Sequence, residues 1–319
     1  MGMRLSIITI NYNNAEGLRK TLASVATQTY RDIEHIIVDG GSTDGSVDVI
    51  KRYVERVNRE KRIVNSVVWS SEKDKGIYNA MNKGIEIALG RRVVNALNRS
   101  ELVEDKNKGI KRATGEYIQI LNSGDLLAAP DVTERMMNAL STLNFPLSTE
   151  NGISILYGNM MKDFGNGKIV RDTCGERMYT PESFLYFYNG TLNHDCAYIR
   201  RDLFDKYGLY NEEMMICSDW EWYVKAIALG GEKAVYTNID VTIFDMNGIS
   251  ESGGKNKELI KKERREYLEK ILPATILHDY DMFSFPIVQY QQLKKYHLWG
   301  LVWFMERVLF KLEKWHILK

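Results

Sequence analysis

Three aspartates in this chain close short apolar runs, and a fourth opens a helical pattern: Asp39, Asp74, Asp125 and Asp219. Asp39 ends the run 33–38 and enters a glycine-rich turn. A carboxylate there can accept a hydrogen bond from a nucleobase N–H, or it can cap its own turn. Asp125 follows the run 117–121 and a Ser123-Gly124 pair suited to a tight turn. As a hard oxygen ligand it suits Mg2+ or Mn2+, with water and diphosphate oxygens completing the shell. Turn chemistry with Asn122 and Ser123 accounts for the same pattern equally well. Asp219, in Cys217-Ser-Asp-Trp-Glu-Trp222, is placed either for catalysis or as the N-cap of the helix that follows. Asn11 and Tyr12 follow the first apolar run, and Lys75 adjoins Asp74.

The elements that must position these residues alternate regularly. Compact β-branched runs at 5–10, 33–38, 67–69 and 117–121 predict buried strands. Between them, apolar residues at helical spacing predict helices over 15–26, 46–58 and 77–89. Strand and helix linked by short connections imply βαβ units and a mainly parallel sheet covered on both faces. In such a sheet, ligands bind beyond the strands' carboxyl ends, where these polar residues fall. A dinucleotide fingerprint is missing, because no GxGxxG follows the first strand, and no Walker A loop is present. Nor does the stretch 39–45 space its oxygens as an EF-hand does.

The second half is less regular. Short helices are expected over 181–188 and 200–207, a longer one over 219–229, a strand over 234–238 and a charged helix over 255–272. The last 30 residues alternate Trp, Tyr, Phe and Leu with Lys and His. This tail suits a membrane surface, a partner such as a second copy, or packing on its own domain. One local repeat interrupts the first half: Asn82-Lys-Gly-Ile-Glu-Ile-Ala-Leu-Gly90 recurs as Asn107-Lys-Gly-Ile-Lys-Arg-Ala-Thr-Gly115. A single pair makes no solenoid. It reads as a tandem duplication inserting an extra helix or loop near 83–107, with the second copy running into the strand at 117.

With 43 basic and 42 acidic residues, no global field recruits nucleic acid. Cys174, Cys196 and Cys217 lack CxxC spacing and fit free thiols in a reducing compartment. Neither a signal peptide nor a bilayer-spanning run is evident. The expected location is cytoplasmic, with peripheral contact at the inner face of the membrane open through the tail.

In combination these blocks resemble the family 2 glycosyltransferases of the GT-A fold. The resemblance rests on Ser6-Ile-Ile-Thr-Ile-Asn-Tyr-Asn13, Leu22-Ala-Ser-Val-Ala-Thr-Gln-Thr-Tyr30 and the stretch 34–46. It continues through Asp74-Lys-Gly-Ile-Tyr-Asn-Ala-Met-Asn-Lys-Gly84 and Gly115-Glu-Tyr-Ile-Gln-Ile-Leu-Asn-Ser-Gly-Asp125. Weaker matches follow at His194, Phe204-Asp-Lys-Tyr-Gly208, Ser218-Asp219 and Gly248-Ile-Ser250, so that about 250 residues are covered. The implied fold is an α/β GT-A domain over 1–254, Rossmann-like, with a C-terminal helical extension over 255–319.

The implied roles are specific. Asp39 matches the base-recognising Asp, with Asn11 and Tyr12 beside the nucleoside and Asp74, Lys75, Asn82 and Ser123 also on the donor side. Asp125 matches the last carboxylate of the DxD-type metal motif, whose first carboxylate is Ser123 here. Asp219 matches the catalytic base, preceded by Ser218 where an acidic residue is frequent. His194 stands near the acceptor or forms a structural hydrogen bond. The extra metal-ligating His found in some relatives has no counterpart between Tyr236 and Gly254. The implied reaction is inverting, metal-dependent transfer of a sugar from a nucleotide diphosphate donor, UDP-sugar favoured, to a saccharide or lipid-linked acceptor in surface polysaccharide biosynthesis. The rival reading is a nucleotide-sugar-binding protein of the same fold, with catalysis impaired by Ser123 or the insert. A sugar-nucleotidyltransferase would need a Gly-rich basic loop after the first strand, and 11–14 has none.

Overall fold

A computed structural model describes residues 3–60, 64, 66–92, 103–105, 109–111, 115–143, 152–165, 167–172, 180–181, 183–246 and 254–314. The parallel half of its main sheet consists of β1 (Leu5–Asn11), β2 (Ile33–Asp39), β3 (Ser66–Ser71) and β6 (Tyr117–Asn122), in the order β3-β2-β1-β6. Every residue of β1 and β2 is buried. That follows from their position inside a parallel sheet covered on both faces, which favours the unbroken Ile/Val runs seen here.

Alternate residues feed two cores. Ile8, Ile10, Ile36, Val38, Ile118 and Ile120 face one, and Leu5, Ile7, Ile33, Ile37, Tyr117 and Leu121 face the other. Helices α1 (Ala15–Ala26) and α2 (Ser46–Glu60) bury their apolar stripes in the second core, and α3 (Ile77–Ala88) lies on the first. Asn14 caps α1, its Oδ1 accepting from Gly17 N at 3.0 Å.

Beyond β6 the sheet changes character. β8 (Ile155–Asp163), β10 (Ala197–Arg200) and β11 (Ala234–Asp245) continue it in the order β6-β10-β8-β11. β10 runs antiparallel to both neighbours, and β11 runs parallel to β8. The short β7 (Leu126–Leu127) closes the end against β11, while β9 (Ile169–Asp172) pairs with β8. α4 (Val132–Leu143) covers this half on the second core. On the other face lie α5 (Phe184–Asn189), α6 (Leu203–Tyr207) and α7 (Ser218–Tyr223), the last continuing with wider π-type bonding over Val224–Leu229. Among the described residues three helices come last: α8 (Gly254–Ile271), α9 (Ala274–Lys295) and α10 (Trp299–Lys314).

Several expectations change here. Residue 200 ends a strand rather than opening a helix, and α6 begins three residues later. The strand expected over 234–238 extends to Asp245, past a register shift between Tyr236 and Asp240. β8 and α4 had no counterpart in the sequence reading. Where the second copy of the duplicated segment is described, at β5 (Gly109–Lys111), it is extended and pairs with β4 (Val103–Asp105), although the first copy is helical. Residues 93–102 and 106–107 of the insert lie outside the described residues, as do Cys174 and the Gly248–Ser250 block. Cys196 and Cys217 are buried and form no disulfide, and burial pushes the Cys217 thiol up to about 12.

Helix α3 sits directly on β1 through Gly84. A Cβ at that position would stand 2.3 Å from Ile8 Cγ2, on a fully buried, β-branched strand residue with no freedom to rotate away. Alanine is the better helix former by about 1 kcal/mol, but overpacking here costs about 1–3 kcal/mol. Gly84→Ala should therefore lower Tm by a few degrees. An unchanged or raised Tm would contradict this seating of the helix.

Candidate active site

The carboxyl ends of β2, β1 and β6 carry the residues singled out above. Asp39 is fully buried. Its Oδ1 accepts from Asn11 Nδ2 at 2.8 Å and Ser42 Oγ at 2.6 Å, and its Oδ2 from Ser42 N at 3.0 Å and Ser71 Oγ at 2.6 Å. Burial alone would raise its pKa, but these donors outweigh burial and hold the carboxyl below its ordinary range. Four donors fill the acceptor capacity of a carboxylate. A nucleobase N–H therefore gains access to Asp39 only if a serine hydroxyl turns away.

Gly40 makes the next contact close. A Cβ there would lie 2.8 Å from Asp74 Oδ2 and 3.1 Å from Tyr12 Cδ2, so only glycine lets the two approach. The Tyr12 ring is 68% exposed over this spot. Asp74 pairs with Lys83, whose Nζ also reaches Glu72 at 3.1 Å and Lys73 O at 3.2 Å. Burial raises the Asp74 pKa, Lys83 opposes that, and Glu72 and Asp39 add to it. The Lys75 side chain is exposed, and its backbone N donates to Asn79 Oδ1 at 3.2 Å. Asn82 faces elsewhere: its Nδ2 donates to Tyr210 O and Glu212 Oε1, and its Oδ1 accepts from Tyr210 N. Its polar atoms tie α3 to the segment preceding α7.

Beyond β6, Ser123 N donates to Ile10 O, and Ser123 O accepts from Asn14 Nδ2. The Asp125 carboxyl is buried with little compensation. Oδ1 accepts only a long bond from Asp245 N, at 3.2 Å, and Oδ2 has no hydrogen-bond partner among the described residues. Burial, followed by the charge of Asp195, lifts its pKa well above the carboxylate range. The Asp245 carboxylate is close by, with Oδ2 3.9 Å from where a Gly124 Cβ would stand. Sequence reasoning missed Asp245, because nothing in the local pattern at the end of β11 links it to Asp125. Among the described residues no three His, Cys, Asp or Glu side chains converge as a ready metal cluster. An unpaired buried oxygen with a second carboxylate nearby nevertheless suits a hard cation that takes its remaining ligands from water or phosphate.

Asp219 stands in the first turn of α7, largely buried. Oδ1 accepts from Tyr78 OH at 3.1 Å, and Oδ2 lies 3.2 Å from His194 Nδ1. Burial would raise its pKa, but the hydrogen bond and charge of His194 win, and the group stays below its ordinary value. Burial would likewise lower the His194 pKa. The bond and charge of Asp219, with Asp195 and Asp125 behind, lift it instead to about 9. The ring is thus an imidazolium at neutral pH. His194 Nε2 is 3.1 Å from the Asn122 amide, whose Oδ1 otherwise lacks a partner. With the amide turned so that Oδ1 faces the ring, an imidazolium Nε2–H satisfies it.

Two further residues escaped the sequence reading. Tyr78 also donates to Ile216 O, joining α3 to the segment before α7. Glu263, buried on α8, accepts three backbone N–H bonds from that segment: Met215 at 2.6 Å, Ile216 at 3.1 Å and Cys217 at 2.9 Å. Its only sequence signal was one acid among many on a charged helix. Asp125, His194, Asn122 and Asp219 thus form one contiguous group. Asn11 and Asp39 border it through the adjacent β1 and β2, whereas Asn82 serves the scaffold.

Known proteins similar to this chain are glycosyltransferases. The model of a family described as glycosyl transferase family 2 matches residues 6–96. Over 225 residues the chain is 30% identical to an uncharacterized glycosyltransferase of Mycobacterium tuberculosis, covering 70% of this chain and 68% of that protein. It is 23% identical over 272 residues to a PGL/p-HBAD biosynthesis glycosyltransferase of Mycobacterium bovis, covering 85% of each. The crystal structure of S. aureus TarS 1-349 shares the fold, with TM-score 0.56 and 18% identity over 92% of this chain and 72% of that one. In another TarS structure the match spans 37% of that chain.

The weak compensation of Asp125 has a consequence for stability. The folded state keeps a proton that the unfolded chain releases above the ordinary carboxylate pKa. Folded protein therefore binds more protons, and stability falls as pH rises above about 4, until the native carboxyl itself ionises. Asp125→Asn lacks this dependence. In metal-free buffer the Tm of the variant should gain on wild type steadily from pH 5 upward. Parallel curves would contradict the assignment.

Proposed function

This chain belongs to glycosyl transferase family 2, and from that premise we propose that it moves a sugar from a UDP-sugar donor to an acceptor hydroxyl with inversion. The observation that carries the proposal is the grouping of a fixed, ionised carboxylate, Asp219, with the underpaired Asp125 through one histidine. Asp219 acts as general base. Held from both oxygens by Tyr78 and His194, it stays charged and oriented. A carboxylate with a depressed pKa is a weak base, so the proton moves late, when the attacking oxygen has become acidic by bonding to the anomeric carbon.

Asp39, Asn11 and Tyr12 receive the nucleoside, with Asp74 and Lys75 beside them. Asp125, with Asp245 and Ser123 near it, would hold a divalent cation, Mg2+ or Mn2+. Such an ion supplies charge neutralisation to the departing diphosphate, which then needs no proton. A UDP complex is known for TarS, and that supports choosing UDP as the first nucleotide to test. The acceptor is a saccharide or lipid-linked saccharide of surface polysaccharide assembly. The transfer chemistry resides in 1–254, and the extension at 255–319 contributes through Glu263, which seats the backbone leading to Asp219.

The test is a comparison of variants. Asp219→Asn should lower kcat by about 10²-fold or more while the thermal shift given by UDP and Mn2+ persists. Glu263→Gln should lower kcat less, with donor KM nearly unchanged. Near-normal turnover in Asp219→Asn would reject the base. Donor binding without turnover on any sugar nucleotide would favour the non-catalytic binding protein.

A further inference from the structure

The two last helices leave apolar surface uncovered. The first half of α9 is docked: Leu277 is buried, Tyr280 stacks on Tyr188, and Asp281 accepts two bonds from Arg265 Nη1 at 2.8 and 2.9 Å. Past Ser284 this anchoring ends. Phe285, Phe304 and Phe310 are 67%, 61% and 67% exposed, and Leu301, Trp303 and Met305 are more than half exposed. At 100° per residue, Leu301, Phe304, Met305 and Val308 share one side of α10. Arg307 and Lys311, one turn apart, border it, and the Arg307 guanidinium lies 4.4 Å from the Trp303 ring centre.

Charge indicates what covers this surface. Residues 285–319 contain six Lys or Arg against two Glu, whereas the whole chain is only +1, so the remainder is net negative. Two copies of so cationic a segment repel each other, while an anionic surface attracts it. No described helix is long and apolar enough to cross a membrane. α10 has 16 residues, about 24 Å at 1.5 Å each, against a hydrocarbon core of about 30 Å. Its charged residues also favour lying in the interface, with cations at the headgroups and aromatic rings among the acyl chains.

We propose that α10, with the exposed second half of α9, docks this protein in the plane of an anionic phospholipid surface. The docking is independent of the transfer reaction, so each can fail without the other. The experiment is flotation of the full chain with vesicles of phosphatidylcholine containing roughly one-third phosphatidylglycerol, or of phosphatidylcholine alone. The chain should float with the anionic vesicles and hardly at all with the zwitterionic ones. Phe304→Asp with Lys311→Glu, both exposed positions, should lower the floated fraction about tenfold while the nucleotide-induced thermal shift is retained. Failure to float with anionic vesicles, or equal flotation with both kinds, would overturn the proposal. So would a lipid-free dimer, detected by light scattering, that the same variant dissociates, since the face would then be a self-interface.

Discussion

A carboxylate removed from water must recover several kcal/mol from hydrogen bonds or opposite charge, and Asp39, Asp219 and Asp125 do so to different degrees at one sheet edge. Asp39 is saturated by four neutral donors. Asp219 is balanced by an imidazolium and a phenol. Asp125 receives one long backbone bond and remains the group most in need of a positive charge. In the reaction we propose, these degrees of compensation separate the three by function: the saturated carboxylate would serve recognition, the balanced one would stay ionised to take a proton, and the deprived one would attract a cation.

The sheet brings them together because strand order reverses at β1. Chain direction carries Asn11, Asp39 and Asn122 to the same end, and the antiparallel β10 places His194 and Asp195 beside them. The last member comes from farther away. Asp219 depends on a segment whose backbone is bonded to Glu263 on α8 and whose far side is tied to α3 through Asn82 and Tyr78. The C-terminal helices are therefore part of the site's support as well as the base for an exposed tail.

The first half of the fold was legible because buried parallel strands concentrate Ile and Val in unbroken runs, and Asp39 and Asp125 stand at their ends. β8 was not, since Gly158, Asn159 and two methionines dilute its β-propensity. It is a strand because β11 pairs along it, a partnership made some 80 residues away. Asp245, Tyr78 and Glu263 stayed hidden for the same reason: each matters through a contact distant in sequence. The duplicated segment shows context overriding local preference, as one copy is helical and the described part of the other is extended.

The most direct test of this account is where a cation settles. Crystals grown with UDP and Mn2+ can be measured at a wavelength where manganese scatters anomalously. The account predicts a peak about 2 Å from an Asp125 carboxylate oxygen, on the side toward Asp245. Bound nucleotide with manganese coordinated elsewhere, and Asp125 still protonated and unliganded, would contradict it.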